Sequence, residues 1–142
     1  MKKGFTLLEL IIVIIIIGVL ATLGFTQYGR TIEKSRGAEA RAIAGNIRTL
    51  AAAFRLEYGT CLGFGNTQAN IGTGADQIPS ACAETHYFSY AVSGQSLDGL
   101  TITATRCGAT GKGPATPSAG DTLILTINFT TGADTWTGTG NY

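Results

Sequence analysis

Lys3-Gly4-Phe5-Thr6-Leu7-Leu8-Glu9-Leu10 opens into Ile11-Ile12-Val13-Ile14-Ile15-Ile16-Ile17-Gly18-Val19-Leu20-Ala21, and the rest of the chain is read outward from this stretch. About 20 consecutive apolar residues suffice to cross a bilayer as a helix. Lys2 and Lys3 precede the run, so they are expected on the cytoplasmic side with everything after the run facing outward. A secretory signal would put a small-residue cleavage site after the apolar block, and Ala21-Thr22-Leu23-Gly24 fits that pattern only weakly. Glu9 lies inside the block. A carboxylate in such a segment costs roughly 2.5–3.5 kcal/mol, so Glu9 is expected to have a function or a partner.

Helical periodicity continues past the apolar run. Ile43, Ile47, Leu50 and Phe54 recur at helical spacing, and Ala40, Ala44, Ala51 and Tyr58 broaden that face. Arg36, Arg41, Arg48 and Arg55, with Glu39 and Glu57, are expected on the opposite side, as a solvated face or in subunit–subunit ion pairs rather than on DNA. Pro79 is the first proline, so one helix is expected from about Phe5 to Tyr58 with Gly59 as its stop. At 1.5 Å per residue it would be about 80 Å long. Its first half is apolar all round and its second half amphipathic, which suits a protruding rod followed by a helix packed on a head.

Residues 60–86 lack periodicity and read as a long loop. Strands are expected at Tyr87–Val92, Leu100–Arg106 and Leu123–Phe129, the last two alternating with Leu100, Ile102, Ala104 and Leu123, Leu125, Ile127, Phe129 on their inner faces. Gly108–Gly120 joins the last two, and Trp136 marks a short final strand in the tail Thr130–Tyr142. An antiparallel sheet laid on the helix at Ile43–Phe54 gives an α+β fold.

The composition narrows the function. The chain has 142 residues, enough for one domain, and its net charge of +1 provides no strong overall field that would recruit nucleic acid or acidic lipid. His86 is the one histidine, and no nucleophile–base set or carboxylate pair stands out, so neither an enzyme nor a cofactor is expected. Asp76, Asp98, Asp121 and Asp134 do not form a calcium-loop cluster, so no metal site is expected. Asn128-Phe129-Thr130 matches a glycosylation sequon inside a strand and is discounted. Cys61, Cys82 and Cys107 form no CxxC pair. Outside the cytoplasm they allow one disulfide in any of three pairings. Cys61–Cys82 is preferred because it would staple the loop after the helix, with the third thiol buried.

Lys3-Gly4-Phe5-Thr6-Leu7-Leu8-Glu9-Leu10 resembles the class III signal of type IV prepilins and type II secretion pseudopilins. The resemblance covers roughly the first 60 residues. It implies cleavage between Gly4 and Phe5 by a prepilin peptidase and N-methylation of Phe5. It also implies a pilin fold divided as leader 1–4, transmembrane and filament-core helix 5–28, amphipathic helix 29–59, and loop plus sheet 60–142. The chain would then be a structural subunit of a type IV pilus-like helical homo-oligomer, or else a pseudopilin of a secretion or competence filament. Its partners would be the inner membrane, the peptidase and the pilus assembly machinery, and the filament would be extracellular or periplasmic. Phe5 and Glu9 are the expected assembly pair: Glu9 would meet the N-terminal amine of an adjacent copy and fix the axial register. Phe5, Phe25, Tyr28, Phe54 and Tyr58 are expected to fill the filament core and head interface rather than to conduct electrons. Many family members carry proline where this chain has Thr26. Gly18, Gly24 and Gly29 still allow this stretch to melt on assembly. A membrane-anchored periplasmic binding domain is the rival reading. It would retain its leader and have no use for Glu9.

Overall fold

The computed structural model describes residues 4–112 and 119–140. Met1–Lys3 of the expected leader, residues 113–118 of the Gly108–Gly120 loop and the end of the tail lie outside the described residues. One helix, α1 (Leu7–Tyr58), runs without a break through both compositional halves. It starts at Leu7 rather than Phe5 because Thr6 is its N-cap. It ends where Gly59 takes a left-handed conformation at φ +72° and donates its N–H to the Arg55 carbonyl, a conformation that favours glycine. Within the apolar half, the hydroxyls of Thr22 and Thr26 donate back to the carbonyls of Val19 and Leu23 at 2.8 and 2.9 Å. Their polar atoms are thus satisfied inside the helix, as an apolar surrounding requires.

The head is an antiparallel sheet of β3 (Phe88–Ser93), β4 (Gly99–Arg106), β5 (Thr122–Asn128) and β6 (Ala133–Gly138), in that order across the sheet. The long loop holds two short elements absent from the sequence reading, β1 (Ile71–Gly72) and β2 (Ile78–Pro79), paired in parallel. Leu100, Ile102, Ala104, Leu123, Leu125 and Ile127 face α1 and are buried, so the alternating pattern reports the inner face correctly. The tight turn after β5 is held by Asn128, whose side-chain oxygen accepts from the N–H groups of Thr130 and Thr131 at 3.0 Å each.

The helix buries the expected face, narrowed at Leu50 and Tyr58 and extended to Gly37. The buried stripe is Gly37, Ala40, Ala44, Ile47 and Ala51. Ile43 and Phe54 are half-buried, and Leu50 is 42% exposed. The sheet presents bulky Leu, Ile, Phe and Tyr side chains, so the helix turns its small residues toward them, and Leu50 and Phe54 are left at the border.

The arginines are not opposite the core. Arg41, Arg48 and Arg55, spaced by seven, run along the other border of the stripe and reach the sheet. Arg41 lies over the Trp136 ring at 5.3 Å, Arg48 pairs with Asp134 at 2.6 Å, and Arg55 pairs with Asp98 at 2.6 Å. Thr130 and Arg55 together hold the Asp98 carboxyl below the usual range.

The sheet lies lengthwise on the helix. Asp98, at the β3–β4 turn, meets Arg55, while Arg106, at the end of β4, meets Glu33. Eight residues of strand span about 26 Å and twenty-two of helix about 33 Å, so the two elements run alongside each other for most of the head. This arrangement corrects the disulfide. The pair is Cys82–Cys107, with Cα atoms 5.5 Å apart, and Cys61 is free and buried. Phe88 pairs with Arg106 across β3 and β4, so the chain entering β3 lies beside the chain leaving β4. Cys82 and Cys107 are both at that open end. Cys61 is at the opposite end, its N–H donating to the Leu97 carbonyl in the β3–β4 turn.

Candidate functional site

The N-terminus of α1 is built around Thr6 and Glu9. The Thr6 N–H and the Thr6 hydroxyl both donate to Oε2 of Glu9, at 2.8 and 2.7 Å, and the Glu9 N–H donates to the Thr6 hydroxyl at 3.3 Å. This is a reciprocal capping box, which satisfies donors that a helix start leaves open. The Thr-x-x-Glu spacing of Thr6-Leu7-Leu8-Glu9 is its sequence signal, which the sequence reading passed over in favour of Glu9 alone. Two donors on one carboxylate oxygen also reduce the penalty of placing that charge among apolar residues.

Phe5 lies outside the helix, 84% exposed, ahead of the Thr6 cap rather than as the first residue of the helix. Gly4 is likewise exposed and outside the helix, leaving the Gly4–Phe5 bond in non-helical, exposed backbone. Beyond the cap, every residue from Leu7 to Thr31 is exposed, and an added Cβ at Gly18, Gly24 or Gly29 would meet nothing within 4 Å. The window that qualifies by length and composition to cross a membrane has a mean hydropathy of 2.8.

A second charged group sits where α1 enters the head. Arg106 is buried, and its guanidinium donates from Nε to Glu33 Oε2 at 3.1 Å and from Nη2 to Glu33 Oε1 at 3.3 Å. Its Nη1 donates to the carbonyls of Tyr87 and Cys107 at 3.2 and 2.7 Å. Arg36 also pairs with Glu33 and lies over the Tyr87 ring at 4.6 Å. Burial pushes the Glu33 carboxyl up, but the hydrogen bonds and charges of Arg106 and Arg36 outweigh it and leave the group below the usual range. The signal for this pair is that Arg106 continues the inward alternation Leu100, Ile102, Ala104. An arginine at an inward position needs a carboxylate across from it.

Among the described residues, no group of three or more His, Cys, Asp or Glu side chains is placed to hold a metal ion. The four aspartates considered for calcium are dispersed: Asp98 and Asp134 pair with arginines, and Asp121 accepts from the Thr139 hydroxyl at 3.3 Å. Burial pushes the Cys61 thiol above its ordinary pKa, which keeps it protonated and inert.

The family model for the prokaryotic N-terminal methylation motif matches residues 1–25. Among characterised proteins, a type IV major fimbrial protein FimA of Dichelobacter nodosus is 40% identical over 63 residues, which is 44% of this chain and 38% of the relative. A second FimA of that organism is 38% identical over 74 residues, or 52% of this chain and 44% of the relative. A fimbrial protein of the same organism is 40% identical over 63 residues, covering 39% of its own length. The chain therefore spans less than half the length of these relatives. No solved structure gives a significant match. With Gly4 and Phe5 exposed ahead of a capped Glu9 and an uncovered apolar helix behind it, the chain carries the prokaryotic N-terminal methylation motif and is related to type IV fimbrial proteins over about half of its own length.

Proposed function

We propose that this chain is a structural subunit, not an enzyme, that polymerises through α1 into a type IV pilus-like filament after cleavage between Gly4 and Phe5 and N-methylation of Phe5. The observation that carries this reading is the contrast along α1. From Leu7 to Thr31 the helix is exposed and has no partner surface among the described residues, yet it is largely apolar and contains a carboxylate. An isolated chain in water would not keep such a rod exposed. A bilayer covers it before assembly, and copies of the same helix cover it afterwards. Cleavage removes Lys2 and Lys3, the charges that oppose extraction, and creates an ammonium on Phe5. Glu9 already holds two donors from Thr6, and the amine of an adjacent copy adds the positive charge that neutralises it. The charge pair fixes the axial offset between copies.

The resemblance to proteins named as major fimbrial subunits favours a cell-surface filament over a secretion pseudopilin. Mass spectrometry of the assembled protein tests the processing step, with an N-methylated phenylalanine expected as the first residue. An intact Met1-Lys2-Lys3 start in the polymer rules it out. Electron microscopy of the purified assembly tests polymerisation, and non-filamentous material from fully processed protein counts against it.

A further inference from the structure

We propose that the neck of the head is a docking surface for lipid phosphate, formed by Tyr28, Arg30, Lys34, Arg36, Tyr87 and Lys112, which holds the unassembled subunit against an anionic membrane leaflet. This inference rests on the reading that α1 is embedded in a bilayer before assembly. If the hydrocarbon begins at Leu7, a helix rising 1.5 Å per residue leaves a 30 Å layer at about Tyr28. Tyr28 is exposed there, an aromatic ring at the level where bilayers favour one. Arg30 then lies about 3 Å beyond Tyr28 and Lys34 about 9 Å beyond it along the axis. Both are exposed and have no charged partner among the described residues. Long basic side chains at these heights reach back into a headgroup layer roughly 5–7 Å thick.

The head adds cations at the same level. The open end of the sheet is its membrane-facing end, because Arg106 meets Glu33 and not Arg55. Around the Tyr87 ring stand Arg36 at 4.6 Å, Lys112 at 5.1 Å and Arg106 at 5.5 Å. Glu33 is the one carboxylate hydrogen-bonded within this group, and Arg106 and Arg36 already engage it. Arg30, Lys34 and Lys112 have no carboxylate paired with them among the described residues, and a row of lipid phosphates supplies that counter-charge. Lys112 is held in place by the fold: its N–H donates to the His86 carbonyl at 2.8 Å. The turn carrying it packs so tightly on the disulfide that a Cβ at Gly111 would come within 2.3 Å of the Cys107 Cβ.

The test uses the full chain in phosphatidylcholine bilayers with spin-labelled lipids, reading the relative association of labelled phosphatidylglycerol and phosphatidylcholine by electron spin resonance. Lys2 and Lys3 are present in every sample and contribute equally to all. The wild type is expected to prefer phosphatidylglycerol several-fold, with the preference weakening as salt is raised. Arg30→Gln/Lys34→Gln/Lys112→Gln is expected to lose most of the preference and keep only the remainder that Lys2 and Lys3 contribute, while Arg30→Lys/Lys34→Arg/Lys112→Arg retains the wild-type preference. An unchanged preference in the glutamine variant overturns the docking surface, and so does a glutamine variant that loses only filament yield, which would assign these cations to a neighbouring copy. Absence of any motionally restricted lipid around the wild type is a different failure, because then α1 is not embedded at all.

Discussion

Residues 7–31 and residues 37–51 belong to one continuous helix, yet they solve the burial problem in opposite ways. The second stretch is amphipathic, and its small residues meet a sheet from the same chain. The first stretch is more apolar and meets nothing among the described residues. The difference shows that apolar character alone does not say where a segment's partner is. The second half is complementary to Leu100, Ile102, Leu123 and Leu125, which the chain itself provides. The first half has no complement among the described residues, which is why lipid or another copy is proposed as its partner. Changes in the two stretches should therefore be read by different assays, one for assembly and one for the stability of the head.

The largest effect is expected at Glu9. Glu9→Ala should reduce sheared surface filament at least tenfold, on the order of the 1–3 kcal/mol that a lost register contact represents when multiplied along a polymer. Membrane insertion should be kept or improved, since the change removes a charge. Thr6→Ala separates the two roles of this cap. It removes the capping hydroxyl, worth about 1 kcal/mol, but leaves the carboxylate free to meet an amine, so filaments should persist at a reduced yield. If both variants assemble equally well by immunoblot of the sheared fraction, Glu9 serves only as a cap.

Next in size are changes to the buried pair that anchors the head to the end of the apolar stretch. Arg106→Met leaves Glu33 with only Arg36 and should cost about 3–5 kcal/mol in chemical denaturation. The same pair gives the head a pH dependence of known sign. Glu33 has a depressed pKa in the folded chain, so its stabilisation is complete above the usual carboxylate range and is lost as pH falls through the depressed value. Acid should therefore destabilise the wild type more than a Glu33→Gln/Arg106→Met double variant. Parallel acid curves would mean that the pair adds nothing to the head.

The disulfide should follow closely. Cys82 and Cys107 are separated by 25 positions, and closing a loop of that size stabilises by about 3 kcal/mol in the chain-entropy account. Cys82→Ser/Cys107→Ser should lower the melting temperature of the head, loosening the Gly108–Lys112 turn first. Cys61→Ser should leave the non-reducing gel mobility of the oxidised protein unchanged. A mobility shift in Cys61→Ser alone would restore Cys61 as a disulfide partner.

How much of this could be read from the sequence depends on the range of each signal. Strand alternation placed Ile102, Leu125 and their neighbours on the inner face because a period of two is written locally. The continuous helix and its Gly59 stop are local as well. The disulfide was misplaced because it depends on the Phe88–Arg106 register, which no neighbouring residues encode. The helix face is local too, and Ile47 with Ala40, Ala44 and Ala51 is buried as the periodicity places it; what periodicity does not carry is the width of the contact, because the bulk of the opposing sheet leaves Leu50 and Tyr58 exposed at its border. The arginines at 41, 48 and 55 looked solvated because their partners, Trp136, Asp134 and Asp98, are some 40 to 100 positions away in sequence. At the N-terminus the Thr6–Glu9 cap was fully legible, whereas the Glu33–Arg106 pair was only half so.

The smallest expected effect divides the two stretches most directly. Ala44→Leu and Gly24→Leu each add a large side chain to the same helix. Ala44 is 2% exposed and faces the sheet, so the added volume forces a shift of packed neighbours and should cost about 1–3 kcal/mol of head stability. Gly24 has open space around it, and leucine is the better helix former by nearly 1 kcal/mol, so the isolated subunit should be as stable or slightly more so. In the polymer the ranking should invert. Where helices pack without water, small residues let backbones approach closely, and a leucine at position 24 would hold neighbouring copies apart. Thermal melts of detergent-solubilised subunit and filament yield from the same two variants make the comparison. If Gly24→Leu assembles as well as wild type, the small residues of the apolar stretch do not set its packing, and the spacing between copies is decided by the heads.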